Sequence, residues 1–306
     1  MSRSWCRAAR DAWTDRSRYA VACLIVALVL LSAFLHAGWN ALLRVEPDKD
    51  RGLVGAIALA SLFACVIAAI RWGLGEQPFA TTEALLYTLL AGAFEAVYFM
   101  TLARALELGR LGAVYTVSRG GAVLVVWPLS ILLFAETATV PSTIGSIVVV
   151  IGLVLSSLSS TGGGNRAHRA GIGWAVACAV SIAGYHLAYK ASLLAGGNPS
   201  AVFAVSLSLS AVISIVRIGR AGRRILGSVL RARPGRVALM GIVCGGSFLI
   251  LMEALALGGS GYVLTLRNTS VLFAALLALT IGERPRHAEL VGAMFVAAGA
   301  VLMSLR

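Results

Sequence analysis

The chain has few charged residues, and this scarcity excludes an ordinary soluble domain. Only 13% of its 306 residues are charged, whereas 59% are hydrophobic, and the mean hydropathy is +0.88. About a quarter of the residues of a typical soluble domain are charged. The expected solvent for most of this protein is therefore the lipid bilayer.

Motifs of catalysis and nucleotide binding are also missing. The sequence contains no Gly-x-Ser-x-Gly, no His-Glu-x-x-His, no paired aspartates of a metal-dependent transferase and no nucleotide-binding fingerprint. The five cysteines are scattered, and their spacing matches neither a metal site nor a disulfide framework. We therefore expect no enzyme activity, no cofactor and no metal. The same absences exclude an ATP-driven pump on this chain alone.

The charge is strongly unbalanced, with 26 basic and 13 acidic residues and a formal net charge of +13. The basic residues lie in short connections between apolar runs, and no aromatic residues are interleaved with them as in a nucleic-acid-binding surface. Basic flanks of membrane-spanning helices explain this pattern better. We expect a lipid bilayer as the surrounding partner, and no nucleic acid.

Ten apolar runs have the length, about 20 residues, that a helix needs to cross ~30 Å of hydrocarbon. They predict an all-α integral membrane protein with ten transmembrane helices. The runs cover approximately residues 20–43, 53–74, 79–103, 112–134, 141–160, 170–194, 200–219, 236–257, 262–281 and 288–305.

The chain also contains an internal duplication. Ala-Leu-Glu-Leu-Gly at 105–109 recurs as Ala-Leu-Ala-Leu-Gly at 254–258, and Arg119 and His36 have later counterparts in Arg267 and His186. Each copy holds five predicted spans, and an odd number forces the second copy into the membrane upside down. We predict two inverted five-helix repeats. The predicted segments are a basic N-terminal tail at 1–19, a first repeat at 20–160, a glycine-rich linker at 161–169 and a second repeat at 170–306.

Polar side chains within the predicted spans are the best candidates for function. An arginine at the middle of a spanning helix costs ~2.5–3.5 kcal/mol on insertion scales unless it faces a partner or a watery cavity. We expect these side chains to point inward and to line a substrate site. The candidates are His36, Trp39, Asn40, Glu95, Tyr98, Arg119, His186, Tyr189, Arg267 and Asn268.

Spacing supports this interpretation for the first helix of each repeat. His36 is followed at i+3 and i+4 by Trp39 and Asn40, which places all three on one helix face. His186 and Tyr189 repeat the i, i+3 geometry. An alternative is that each polar residue is only an interhelical hydrogen-bond partner.

The arginines and Glu95 leave two further alternatives open. A guanidinium presents a fixed fork of donors that suits a carboxylate or phosphate, and that anion could belong to a solute or to Glu95. Glu95 in turn could carry a proton during transport, or it could simply neutralise Arg119. The sequence does not decide between an internal ion pair and a solute site.

Four segments resemble one known family. They are Leu-His-Ala-Gly-Trp-Asn at 35–40, Tyr-Thr-Val-Ser-Arg-Gly at 115–120, Arg-Asn-Thr-Ser-Val-Leu-Phe at 267–273 and Gly-Glu at 282–283. In this order they resemble the EamA-type branch of the drug/metabolite transporter superfamily, over approximately residues 20–305. The resemblance implies ten helices in two inverted repeats, a central cavity, and movement of small metabolites, often export, without ATP.

The leading hypothesis is a secondary transporter of the plasma (inner) membrane that exports a small polar metabolite by alternating access. A non-transporting membrane partner or receptor is the first alternative, favoured if the polar stripes pack against each other with no cavity between them. A membrane enzyme acting on a lipid-linked group is the second.

Overall fold

The computed structural model describes residues 2–135, 139–160, 166–283 and 286–304, so the first part of the predicted linker, 161–165, lies outside the described residues. Within these ranges all regular elements are α-helices, in agreement with the predicted fold class. They are α1 (Ser2–Arg44), α2 (Lys49–Gly73), α3 (Thr82–Leu108), α4 (Leu111–Phe134), α5 (Val140–Ser160), α6 (Arg166–Leu194), α7 (Pro199–Arg217), α8 (Gly219–Ala232), α9 (Pro234–Leu257), α10 (Ser260–Arg267), α11 (Ser270–Thr280) and α12 (His287–Ser304).

Seven helices in the described ranges are long and apolar enough to cross a membrane: α2, α3, α4, α7, α9, the Val21–Arg44 part of α1 and the Arg169–Leu194 part of α6. Three shorter apolar helical segments, Thr143–Leu155, Ser270–Thr280 and His287–Gly299, fall in the fifth, ninth and tenth predicted spans. The chain is therefore a helical integral membrane protein. Ten spans remain a prediction.

The ninth predicted span differs from its expected form because it is broken. The sequence predicts one helix over 262–281, whereas α10 ends at Arg267 and α11 begins at Ser270. The break follows a polar run in which Asn268 and Thr269 interrupt the apolar sequence. Backbone hydrogen bonds continue through the break, since the N–H of Val271 donates to the carbonyl of Asn268 over 2.9 Å.

Helix α8 is an element that the apolar pattern did not predict. The sequence there reads as a basic connection, but it folds as an amphipathic helix whose arginines are exposed. Leu226 and Leu230 on its apolar side pack against Gly55 of α2. Because a surface helix needs only one apolar stripe, a search for continuous apolar runs misses it.

The helices of the two halves are interleaved. Helix α3 packs against α6 and α7, and its counterpart in the second half, α9, packs against α1 and α2. Helices α2 and α7, which occupy equivalent places in the two halves, contact each other, as do α5 and α12. Exchanging the two halves thus reproduces the same packing pattern, as expected for duplicated units.

Helices α3 and α9, which occupy equivalent places in the two halves, end with the same backbone conformation. Gly109 ends α3 with φ −122° and ψ 166°, and Gly258 ends α9 with φ −120° and ψ 168°. Each N–H donates to the carbonyl four residues back, on Ala105 and Ala254 respectively. The recurring five-residue motif therefore encodes one local structure used twice.

Arginines concentrate at one end of the bundle, here called the basic face, which includes α8 and the end of α1. Arg44 at the end of α1 pairs with Glu283 at 2.5 Å, and Arg233 after α8 pairs with Glu46 at 3.1 Å. These pairs join connections that are far apart in sequence. The basic face is therefore crosslinked by ion pairs between the two halves.

The opposite face is held by a smaller network around Arg71. This residue pairs with Glu76 at 2.8 Å and also with Glu253, while Asn198 donates to Glu76 over 2.6 Å. The hydrogen bond from Arg71 and then that from Asn198 hold the pKa of the Glu76 carboxyl below its usual value. On the same face the Lys190 ammonium donates to the carbonyl of Gly258 over 3.1 Å.

Close packing of α5 on α12 depends on glycine. A Cβ atom on Gly152 would lie 2.6 Å from the carbonyl oxygen of Gly292, and one on Gly299 would lie 2.6 Å from that of Gly145. Since the obstructing atoms are backbone, an added methyl group must push the helices apart. Small residues at this contact are therefore required by the geometry.

We predict that Gly152→Ala and Gly299→Ala each destabilise the protein by roughly 1–3 kcal/mol, the usual cost of overpacking. Thermal unfolding in detergent would show a lower apparent Tm. Gly246→Ala in α9 is the matched control, because a Cβ atom there meets nothing within 4 Å. Unchanged stability in both α5 and α12 variants would contradict the close helix contact.

Candidate functional site

All ten sequence-predicted site residues are buried, including the two arginines. They come from α1, α3, α4 and α6, and from the break between α10 and α11. None faces the surface that contacts lipid. The expectation that these polar groups point inward agrees with the structure, and most of them form one connected cluster.

His36 of α1 lies at the centre of this cluster. Its Nδ1 lies 2.9 Å from Nη2 of Arg267, and its Nε2 contacts Nη2 of Arg119. Trp39 donates from its indole nitrogen to Nδ1 over 3.2 Å. A neutral imidazole carries a proton on one nitrogen and accepts at the other, so it cannot accept from both arginines at once. We call His36, Arg119 and Arg267 the arginine–histidine centre.

The two arginines reach the centre from equivalent positions of the duplicated halves. Arg119 lies in α4, and Arg267 is the last residue of α10. The exposed fractions of the two residues are only 2% and 1%. The break after α10 begins at Asn268, and neither polar atom of its buried side chain has a hydrogen-bond partner among the described residues.

Aromatic rings surround the guanidinium groups. Cζ of Arg267 lies 4.7 Å from the ring centroid of Phe248, and Cζ of Arg119 lies 5.6 Å from that of Tyr115 and 5.9 Å from that of Tyr98. Each distance is within the range of a cation–π contact. The rings stabilise the cations in part, but they supply no negative charge.

The motif-based prediction did not include Tyr115, Tyr185 or Phe248. Tyr185 stacks on His186 with ring centroids 4.7 Å apart, and Phe248 lies 5.3 Å from the His36 ring. A signal for Phe248 was present in the sequence, because the 149-residue offset of the repeat maps Phe99 onto it. This correspondence did not identify Phe248 as a site residue, because a phenylalanine within an apolar run is indistinguishable from an ordinary core residue.

Glu95 is not the partner of Arg119 in the structure. The Tyr189 hydroxyl donates to Oε1 of Glu95, and the same hydroxyl lies 3.2 Å from Oγ of Ser206. Among the ion pairs of the described residues, none includes Glu95, Arg119 or Arg267. The possibility of an internal Glu95–Arg119 ion pair is therefore not realised here.

Asn40 and His186 occupy different positions relative to the centre. The Asn40 amide donates to the backbone carbonyl of His36 over 2.7 Å, so this hydrogen bond lies within α1. The His186 ring centroid lies 4.7 Å from that of Tyr185 and 6.5 Å from that of Tyr189, and Nε2 of His186 has no hydrogen-bond partner among the described residues. Both side chains are brought near the centre, but neither is recorded in a hydrogen bond to either arginine.

A polar cavity of about 710 Å³ opens at the basic face between α2, α3, α6 and α7. Its inner wall includes Val97, Met100 and Thr101 of α3, on the same stretch of helix as Tyr98. Charged residues of both signs line its mouth: Asp48, Lys49, Asp50, Arg51, Arg104, Glu107 and Arg217. Helix α3 therefore contributes both to this cavity and, through the contacts of Tyr98 with His36 and Arg119, to the arginine–histidine centre.

Comparison with known proteins gives one family and one fold. A sequence profile described as the EamA-like transporter family matches residues 169–305. No curated protein matches the chain. A solved structure titled "Crystal structure of protein" is 18% identical over 94% of this chain and 98% of that chain, with a TM-score of 0.65. At this identity the likeness shows the fold alone.

The cavity at the basic face should be open to water. We predict that a cysteine replacing Met100, in a background without the native cysteines, reacts with a membrane-impermeant charged thiol reagent. Leu90→Cys is the control on the same helix, because Leu90 is 48% exposed and lines an apolar groove with Phe94 and Leu133. It should not react, since a charged reagent does not enter hydrocarbon. Equal labelling of the two cysteines would contradict the proposed cavity.

Proposed function

We propose that this integral membrane protein is a secondary transporter, because residues 169–305 match the profile of the EamA-like transporter family, which lies within the drug/metabolite transporter superfamily. Its proposed substrate is a small polar metabolite, moved outward across the plasma (inner) membrane. The arginine–histidine centre, with the surrounding predicted site residues, is the proposed substrate site. No ATP is required, because the solute moves through the rearrangement of the two halves.

One observation carries this proposal: two buried arginines, one from each half, converge on a single histidine. Burying a charge without an anionic partner costs several kcal/mol, so such an arrangement is not expected from packing alone. Polar groups at the meeting point of two repeats are typical of transporter substrate sites. The duplicated halves thus supply equivalent groups to one position.

The proposed mechanism is alternating access between two inverted five-helix halves. The exchange-symmetric packing of α3 on α6 and α7, and of α9 on α1 and α2, supports two equivalent arrangements of the bundle. The interrupted helix at α10 and α11 supports it as well, since discontinuous helices commonly form transporter sites. In this proposal the described structure is a state in which the centre is closed.

The rival function is a non-transporting membrane receptor, because the polar side chains pack against each other. Unpaired guanidinium donors count against it, since a permanently closed receptor would be expected to supply its own acceptors for buried donors. Glu95 is the proposed proton carrier if transport is coupled to protons, because its carboxyl is buried and bonded to Tyr189, outside the ion pairs.

Transport can be tested even though the substrate is not yet identified. Metabolite profiling of cells that lack or overproduce the protein identifies candidates, and efflux of the identified solute is then measured in proteoliposomes. We predict that Arg119→Ala and Arg267→Ala each lower flux at least roughly tenfold, because charge-assisted hydrogen bonds to the solute are lost.

Arg223→Ala on α8 is the matched control, because this arginine is exposed at the basic face and far from the centre. It should retain flux. Size-exclusion profiles and membrane insertion would establish that all three variants fold. Undiminished flux in both central variants would rule out the proposed site.

A further inference from the structure

The arginine–histidine centre has an excess of positive charge that the described chain does not balance. Eight other arginines pair with carboxylates, but Arg119 and Arg267, which are more buried than any of them, do not. The nearby acid, Glu95, accepts from Tyr189 instead. Two cations in low dielectric repel each other strongly, so a bound anion would stabilise this arrangement.

Several donors at the centre are also without acceptors. Nη1 of Arg119 and both Nε and Nη1 of Arg267 are buried and have no hydrogen-bond partner among the described residues. Buried donors normally form hydrogen bonds, and a buried donor without an acceptor costs free energy. A carboxylate has about four acceptor sites, and a phosphate has more oxygens still, so either group matches this set of donors.

The geometry around His36 indicates where such an anion would bind. One guanidinium lies at Nδ1 of the ring and the other at Nε2, on either side of a single ring carbon. Two oxygens on one carbon or one phosphorus are arranged in the same way. A neutral imidazole accepts a hydrogen bond at only one nitrogen, whereas both oxygens of a carboxylate or phosphate accept. An oxyanion would therefore accept hydrogen bonds from both arginines.

We infer that the substrate carries a carboxylate or phosphate group that binds between Arg119 and Arg267, displacing the His36 ring. This inference rests on the proposed transport function and adds the chemical class of the solute. In the described state the His36 ring occupies the position proposed for the anion.

The test is ligand-induced stabilisation of the full chain in detergent or nanodiscs, in a buffer with chloride as the only small anion. The probes are inorganic phosphate, succinate and succinamide, the last being a neutral analogue of succinate. Phosphate or succinate should raise the apparent Tm in a saturable manner. Succinamide should not, because its amide groups carry no negative charge. Comparing phosphate with succinate shows which oxyanion the site prefers.

Variants show whether the stabilisation arises at the centre. Arg119→Gln and Arg267→Gln should each weaken the apparent affinity for the stabilising anion roughly tenfold or more. Arg223→Gln, on exposed α8, should leave it unchanged. If a glutamine variant does not fold, Arg119→Lys and Arg267→Lys replace it. Lysine keeps the positive charge but loses the planar, bidentate donor geometry, so these variants should show a smaller decrease in apparent anion affinity.

The outcomes separate this inference from the proposed function. Equal effects of succinate and succinamide, no stabilisation by either anion, or full stabilisation in the glutamine variants would overturn the oxyanion site. Export of a neutral or cationic metabolite without anion binding would also overturn it while leaving transport intact. Anion binding that depends on both arginines, together with no flux of any solute, would support the site and reject the transport function.

Discussion

Two guanidinium groups that share one imidazole ring are the constraint on which the rest of the structure depends. Arg119 and Arg267 face opposite nitrogens of His36, deep in a bundle of apolar helices. Neutral imidazole can accept from only one of them, and no carboxylate in the described chain pairs with either. The fold therefore maintains positive charge and unused donors where both are costly.

The surrounding elements make this arrangement tolerable. Helix α10 ends at Arg267 itself, and the polar Asn268 follows in a turn whose backbone hydrogen bonds lead into α11. Phe248 and Tyr115 place ring faces over the cations. The outer ion pairs and the glycine contacts between α5 and α12 join the two halves at a distance from the centre. Stability is thus supplied by the periphery, while the centre keeps the unsatisfied groups that a ligand requires.

The sequence predicted the helices and the inward direction of the polar groups well, because long apolar runs and the cost of exposing charge to lipid are strong constraints. It predicted less well where local pattern is ambiguous. The amphipathic α8 looks like a basic loop, and Phe248 looks like core. The partner of Glu95 could not be predicted from spacing. The sequence suggested Arg119, whereas the packing of α3 on α6 brings the Tyr189 hydroxyl to the carboxylate.

The most direct measurement is a double-mutant cycle on unfolding stability for Arg119→Gln and Arg267→Gln, without phosphate or carboxylate in the buffer. If the two cations repel each other in the absence of a bound anion, Arg267→Gln is more favourable in the wild-type chain than in the Arg119→Gln background. Additive effects, or a substitution that is more favourable in the mutant background, would show that the chain itself balances this charge. That result would contradict the proposed anion site at the centre of the protein.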